Sequence, residues 1–409
     1  MARRVLLHIG TPKTATTYLQ DILFRNRDVL EKHDVHYPVV HFDDHFRAAL
    51  DLTRREWGGL EDEVVGEWDA LAARTRSLGG TVIISNEILA GASAEQAARA
   101  VASFGDAEVH LVLTVRDLGR QIPAEWQETV KHYNTETYAE FLRIIESRQG
   151  RSADLFWRVQ HLPDILERWA GDLPPEQVHL VTAPPAGARS DVLLGRLEQA
   201  FGIDDLPLAY ESNRTNAGLG VAETALIRML NERVDRSLPD IKYRYLVREV
   251  LAHRQLAERT TRTGSSRVTL PPDHRPWVDE LAESWIAQLD TAGYAVTGDL
   301  ADLHPAPSRL EYVDPDHADT REVLAAAVES IMALVHEGSR MIVEEEELRE
   351  QLHRARAELD LQRSIPLRRR VREKAFDTLN GNAAGQKALG AYRRLRGQVA
   401  RPLPGAGRH

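Results

Sequence analysis

A lysine among threonines follows a short apolar run near the start of the chain, and this arrangement suits an anion. Residues 5–9 are apolar enough for a buried strand, and Gly-Thr-Pro at 10–12 ends it. Lys13 and a threonine-rich stretch come next, where a helical pattern opens. The first amides of a helix have no acceptor inside the helix, and the helix dipole is positive there. The spacing therefore predicts a phosphate or sulfate site, with the lysine as a point charge and the hydroxyls as donors.

Two further polar groups follow later strands. Residues 81–85 (TVIIS) predict a strand with Glu87 just beyond it, and residues 108–115 predict another with Arg116 directly after it. A carboxylate in that position can act as a general base, and an arginine can bind a phosphate through two hydrogen bonds. The structural alternatives are a helix cap or ion pair for Glu87 and an ion pair with Asp117 for Arg116.

Strands that alternate with helices predict an α/β fold with a parallel sheet flanked by helices on both faces. Short strands are predicted at 35–37 and 177–182, and helices at 221–234, 241–259 and 274–289. Ligands gather beyond the carboxyl ends of the strands in such sheets. We therefore expect Lys13, Glu87 and Arg116 to lie near one another.

The domain organisation predicted from composition has four parts. Residues 1–300 form the α/β domain, and the Pro-, Asp- and His-rich residues 301–319 form a linker. Residues 320–363 carry apolar positions spaced four, three, four in two blocks, which Gly338-Ser339 separates, and so predict a helical hairpin or a short coiled coil. Residues 364–409 form a basic tail. The tail has three possible interpretations: it is a disordered end, it makes a contact within or between chains, or it forms a surface that binds anionic lipid.

Composition excludes several classes of protein. The 409 residues carry a net charge of −10, which argues against general nucleic-acid binding. A net positive charge occurs only in residues 363–409, which carry 12 Lys/Arg and two acids, whereas the rest of the chain carries a net charge of about −20. Cysteine is absent, so disulfides and thiolate metal sites are excluded. No apolar run reaches transmembrane length, no His, Asp or Glu group has metal-ligand spacing, and we expect a cytoplasmic protein without a metal.

The stretch Pro12-Lys13-Thr14-Ala15-Thr16-Thr17 resembles the 5′-phosphosulfate loop of sulfotransferases that use 3′-phosphoadenosine-5′-phosphosulfate (PAPS), which reads P-K-T/S-G-T-T after the first strand. A Walker loop needs G-x-x-x-x-G-K-[ST], but only two residues separate Gly10 from Lys13. Ala15 stands where glycine is usual, and a helical first turn accepts alanine. The resemblance spans residues 3–298 and implies the P-loop NTPase-like fold of a bacterial-type sulfotransferase.

The resemblance also implies roles for individual residues. Glu87 would be the catalytic base, Lys13 would stabilise the leaving phosphate oxygen, and residues 12–17 would hold the 5′-phosphate. Arg116 would bind the 3′-phosphate of the nucleotide. The serine that usually shares this role is Ala124 here, and three side chains of the same predicted helix could replace it: Arg120, Gln121 and Gln127.

A late polar loop and three aromatic or imidazole side chains complete the predicted site. Residues 213–216 (NRTN) resemble the Asn-x-Ser loop of bacterial sulfotransferases, so Arg214 and Asn216 are predicted nucleotide contacts, with a capped turn as the alternative. His132, Tyr133 and Trp157 are predicted to line the acceptor pocket. The acceptor would be a small molecule, a carbohydrate or a lipid, and no residue distinguishes these.

Two other functions remain open from the sequence. One is a nucleotide-dependent kinase on the same strand–loop–helix scaffold, which would need magnesium and an acid that binds it. The other is a non-catalytic nucleotide-binding module that recruits a partner through its C-terminal helices. These helices could also form a homo-oligomer.

Overall fold

In the computed structural model, a six-stranded parallel sheet organises the chain. The structure describes residues 2–171, 173–189, 191–211, 218–234, 238–307 and 311–364, together with residues 387, 391, 392 and 394. The strands are ordered β2-β3-β1-β4-β5-β6, and every pair is parallel. Their bounds are β1 Arg4–His8, β2 Val35–His36, β3 Thr81–Ser85, β4 Glu108–Val115, β5 Val178–Thr182 and β6 Ala295–Thr297.

Helices connect the strands and cover the sheet. From the N-terminus to the third strand they are α1 Thr16–Arg25, α2 Arg27–Lys32, α3 Asp44–Thr53, α4 Leu60–Glu63 and α5 Glu67–Ser77. Between the third and fifth strands they are α6 Ala94–Ala102, α7 Leu118–Val130, α8 Tyr138–Ser147, α9 Arg151–Gln160 and α10 Leu162–Ala170. The later ones are α11 Asp191–Phe201, α12 Val221–Val234, α13 Asp240–Tyr243, a π-helix Arg244–Leu256, α14 Ala257–Thr263, α15 Arg275–Thr291 and α16 Thr320–Ser364.

The central strands are buried on both faces, which explains their continuous apolar runs. Leu6 of β1 and Ile83 of β3 point to one side, where α1, α2 and α11 pack. Leu7 of β1 and Ile84 of β3 point to the other side, where α3, α5, α6, α7 and α10 contribute to the larger core. The predicted α/β class with a flanked parallel sheet is therefore confirmed.

The strand order places the loop after β1 at the point where the chain switches from one side of the sheet to the other. The chain runs from β1 through β2 to β3 on one side of β1, and then crosses to β4 on its other side. Such a reversal opens a crevice beyond the carboxyl ends of the strands at the switch point. The loop after β1 lies at that crevice.

Several predicted elements differ from the structure. The spacing of apolar residues from 60 to 78 predicts one helix, but the structure has two helices there, because Gly66 adopts a left-handed φ of 91° between them. β6 was not predicted, because its three residues are at most half-buried and carry no apolar run. The predicted linker 301–319 is packed: Asp302 accepts hydrogen bonds from Thr182 and Arg196 at 2.7 and 2.6 Å. Asp316 accepts bonds from the amides of residues 138 and 139.

The C-terminal region also differs from its prediction. Residues 320–364 form one continuous helix, so the hairpin interpretation was wrong: Gly338-Ser339 lies inside the helix and does not break it. The chain divides into two compact units, Met1–Leu334 and Val335–His409, with the boundary inside this helix. Most of the basic tail lies outside the described residues. None of the described helices combines the length and apolar character that a membrane span requires.

Candidate functional site

The loop after β1 is held against β4 by backbone bonds and a glycine. The amides of Ile9 and Thr11 donate to Val112 and Thr114 of β4 at 3.0 Å each. A Cβ on Gly10 would lie 2.8 Å from the His8 imidazole, so only glycine fits there without displacing that ring. The ring itself is fully buried between Ser85 and Thr114 hydroxyls, 2.7 Å from each, and burial lowers its pKa to about 3.

Two residues of this loop adopt the left-handed backbone region. Lys13 has a φ of 67° and Ala15 a φ of 61°. The expectation that Ala15 lies in a helical first turn was therefore wrong: it precedes the helix, in a region that favours glycine because a Cβ is crowded there. Such strain persists where the surroundings enforce it, and it is frequent at ligand-binding loops.

The N-terminus of α1 is open. The helix begins at Thr16, and no side chain caps it. Within the described part of the chain, the amides of Ala15, Thr16 and Thr17 have no hydrogen-bond acceptor. All three residues line a cleft of about 2630 Å³ at the carboxyl edge of the sheet. The loop therefore presents unpaired donors and a positive dipole end to the cleft.

The Lys13 ammonium meets a carboxylate from α7. It forms an ion pair with Glu128, whose other contacts are Lys131 at 3.2 Å, Arg248 at 3.3 Å and His132 at 3.4 Å. Burial acts to raise the pKa of Glu128, but the surrounding cations outweigh it and hold that pKa well below the usual range. Glu128 thus lies among three cations, and Glu125 is a second carboxylate of α7 close to Lys13.

A buried pair of glutamine side chains supports the loop from beneath. Gln121 is fully buried and donates to the Pro12 carbonyl at 2.7 Å and to Gln160 at 3.0 Å. Gln160 in turn donates to Glu125 at 3.1 Å. Burial raises the pKa of Glu125. The pair couples the backbone before Lys13 to two helices, α7 and α9.

Arg116 lies directly after β4, as predicted, and contacts the same loop. Its guanidinium donates to the Lys13 carbonyl at 3.1 Å. Burial and the neighbouring Arg120 lower its pKa to about 10, so it stays charged at neutral pH. Asp117 does not pair with Arg116. It caps α7 through the Arg120 amide at 3.0 Å and also accepts from the Arg120 side chain. Arg116 and Arg120 both line the cleft.

Glu87 also lines the cleft, at the start of a short 3₁₀-helix that follows β3. Its carboxylate accepts from Gln20 of α1 at 3.2 Å. Arg55 lies in the same cleft near Glu125 and Glu87, and burial lowers the pKa of its guanidinium. The structure therefore brings Lys13, Glu87 and Arg116 to one cleft.

The other predicted residues divide into three groups. Pro12, His132 and Tyr133 line the cleft, and so does Gln127, although its amide donates to Leu219 and Thr224. Arg214 and Asn216 lie outside the described residues.

Thr14, Gln121 and Trp157 form the third group, which does not line the cleft. Thr14 donates its hydroxyl to the Thr11 carbonyl at 2.6 Å, and Gln121 supports the loop. Trp157 is a buried core residue whose indole donates to the Ile145 carbonyl at 2.8 Å.

Sequence reasoning missed much of the charged lining of the cleft. Glu125, Glu128 and Lys131 follow Gln121 along α7 at intervals of three and four residues. Polar residues at this helical spacing indicate that one face of α7 is polar, and this pattern could have predicted that these side chains line the cleft. Arg55 and Arg248 come from distant segments, and no local pattern marks them.

Searches of protein-family models, of curated proteins and of solved structures each found no significant match to this chain.

Proposed function

We propose that this protein is a PAPS-dependent sulfotransferase of the P-loop-like α/β type, which moves a sulfuryl group from PAPS to a hydroxyl or amine of its acceptor. The observation that carries the proposal is the loop at the switch point of the sheet. It presents three unpaired amides and Lys13 to a large cleft, and its sequence resembles a 5′-phosphosulfate loop.

The mechanism proposed for the site is an in-line displacement. Glu87 removes the proton from the acceptor hydroxyl while the acceptor oxygen attacks sulfur. The bond between sulfur and the 5′-phosphate oxygen breaks, and Lys13 stabilises the negative charge that develops on that oxygen. The products are the sulfated acceptor and adenosine 3′,5′-bisphosphate. Positioning and charge stabilisation carry most of the catalysis, as they do in phosphoryl transfer.

The nucleotide would take the donors that the loop leaves unpaired. The amides of Ala15, Thr16 and Thr17 suit the 5′-phosphate, and Arg116 with Arg120 suits the 3′-phosphate. The buried Arg120 Nη2 has no hydrogen-bond partner in the described structure, which supports a ligand role for this pair. Lys13 must exchange Glu128 for the nucleotide, so binding competes with an ion pair inside the protein.

Calorimetric titration with adenosine 3′,5′-bisphosphate tests the donor. We expect magnesium-independent binding that Lys13→Ala weakens by about 100-fold, since hydrogen bonds to charged groups contribute about 1.5–3 kcal/mol. Lys32→Ala removes an exposed lysine of α2 and serves as the control. Preference for ATP with magnesium, or no binding of either nucleotide, would contradict the proposal and favour a kinase or a non-catalytic module.

Transfer of radiolabelled sulfate from PAPS to a panel of phenols, sugars and lipids tests the chemistry. Glu87→Gln should abolish transfer and leave the affinity for the bisphosphate unchanged, because the substitution removes the base and no phosphate ligand. Glu31→Gln, on the exposed part of α2, is the matched control. A Glu87→Gln variant with an undiminished transfer rate would exclude Glu87 as the base.

A further inference from the structure

The second unit presents an apolar stripe along its helix. Among the residues of α16 from 335 whose exposure is described, seven large apolar side chains are exposed, and four of them lie along one face at 46 to 57% exposure: Met341, Leu348, Leu352 and Leu359. A helix that exposes large apolar side chains along one face usually buries them against a partner.

The stripe follows a single heptad register. Met341, Leu348 and Ala355 are seven residues apart and occupy d positions, whereas Leu352 and Leu359 occupy a positions. We call these five residues the seam. Apolar a and d positions that repeat every seven residues allow two helices to wind around each other with their side chains interlocked. The seam from Met341 to Leu359 is about 27 Å long at 1.5 Å per residue, which corresponds to between two and three heptads.

The charges beside the seam select an orientation. Glu344 and Glu358 fall at g positions, and Arg349 and Arg356 fall at e positions. In a parallel pair, each g residue faces the e residue five positions later on the other helix, so Glu344 faces Arg349. In an antiparallel pair, g faces g and e faces e, which would oppose like charges.

We propose that the seam is the interface of a parallel, in-register coiled coil between two copies of this chain. The a position at 345 is a glutamate, whose carboxylate accepts from Arg349 of its own helix at 2.7 Å. A polar a residue lowers stability. In register, the two Glu345 carboxylates face each other, and the Arg349 beside each of them offsets their repulsion. This proposal does not depend on the proposed sulfotransferase activity.

Sedimentation equilibrium of the full chain between 1 and about 100 μM, the range in which weak coiled coils associate, tests the interface. We expect a dimer for the wild type and a monomer for Leu348→Glu and Leu352→Glu. Val343→Glu is the matched control, because Val343 is equally exposed but occupies an f position away from the seam. A wild-type monomer throughout this range, or a dimer that survives both seam substitutions, would overturn the proposal.

Cysteine cross-linking tests the orientation, since the chain contains no natural cysteine. In a parallel pair, Leu359→Cys alone should form an interchain disulfide with a second Leu359→Cys chain. An antiparallel pair would instead cross-link only when Leu359→Cys is mixed with Met341→Cys, and that result would overturn the proposal.

A charge exchange tests the register. Glu344→Arg and Arg349→Glu should each weaken the homodimer at least tenfold, and an equimolar mixture should form a heterodimer with both pairs restored. Glu350→Arg makes the same change at an f position and should leave the dimer intact. Equal strength of the homodimers and the mixture would contradict the in-register arrangement.

Discussion

The helices α1 and α7 begin at the same edge of the sheet, after the neighbouring strands β1 and β4. They differ in whether the backbone amides of their first turn have a hydrogen-bond acceptor. At α7, the buried Asp117 caps the helix and also pairs with Arg120. At α1, Ala15 offers no capping group, and the first amides face the cleft without an acceptor.

The comparison shows which helix end is available to a ligand. A carboxylate that caps a helix fills the position that an external anion would take, because both accept from the same amides. The first turn of α7 is therefore capped by its own chain, whereas the first amides of α1 stay available to an external acceptor. Glu128, in the last turn of α7, is the only carboxylate that forms an ion pair with Lys13 in the described structure.

Removing the cap of α7 should have the largest effect. Asp117→Ala deletes the cap and leaves the Arg120 guanidinium without its carboxylate, which should lower the free energy of unfolding by about 3 kcal/mol. Asp117→Asn retains an acceptor for the cap and should cost about half as much. Urea unfolding measures both, and equal losses for the two variants would show that the capping hydrogen bond contributes nothing beyond the charge.

Closing the open end of α1 should abolish its difference from α7. Ala15→Asp places a carboxylate beside the free amides and should weaken binding of adenosine 3′,5′-bisphosphate by about 100-fold, the equivalent of one or two charged hydrogen bonds. Ala15→Gly is the control, because glycine tolerates a left-handed backbone and has no side-chain acceptor that could cap the helix. Unchanged affinity in the aspartate variant would place the phosphate elsewhere.

Releasing Lys13 from α7 should strengthen nucleotide binding. Glu128→Gln removes the competing carboxylate and should raise the affinity for the bisphosphate about tenfold, or roughly 1.4 kcal/mol. Glu136→Gln, which also lines the cleft, provides a control because Glu136 pairs with Asn134 and Ser152 instead. Weaker binding in Glu128→Gln would mean that Glu128 orients Lys13 for the ligand.

Relaxing the loop before α1 should have the smallest effect. Ala15→Gly relieves a left-handed alanine and should raise the free energy of unfolding by about 1 kcal/mol. Ala73→Gly, at an exposed position inside α5, should lower it by about 0.5–1 kcal/mol. Calorimetric unfolding compares the two, and a loss of stability in both variants would show that Ala15 is not strained.

The sequence predicts those helices and strands whose formation depends mainly on their own residues. β4 and α12 have the predicted bounds, because an alternation of strand residues over eight positions and a helical period can both be recognised within one segment. The split at Gly66 and the strand β6 were missed, since a left-handed turn and a three-residue edge strand depend on their neighbours.

The candidate site divides in the same way. Lys13, Glu87 and Arg116 were found because each lies shortly after the end of a strand, and parallel strands end at a common edge. Trp157 was misplaced because a helical pattern does not show which face of α9 meets the core. The charged partners on α7 and the π-helix were missed, since they come together only through the strand order.

The sequence by itself determined the strand, the glycine turn, the lysine and the helix of the anion loop, because backbone preferences and side-chain chemistry act over a few residues. Only the tertiary structure decided which helix end stays open and which charges surround Lys13. Glu128 is 115 residues away along the chain, and contacts over that distance are set by how the strands are ordered in the sheet.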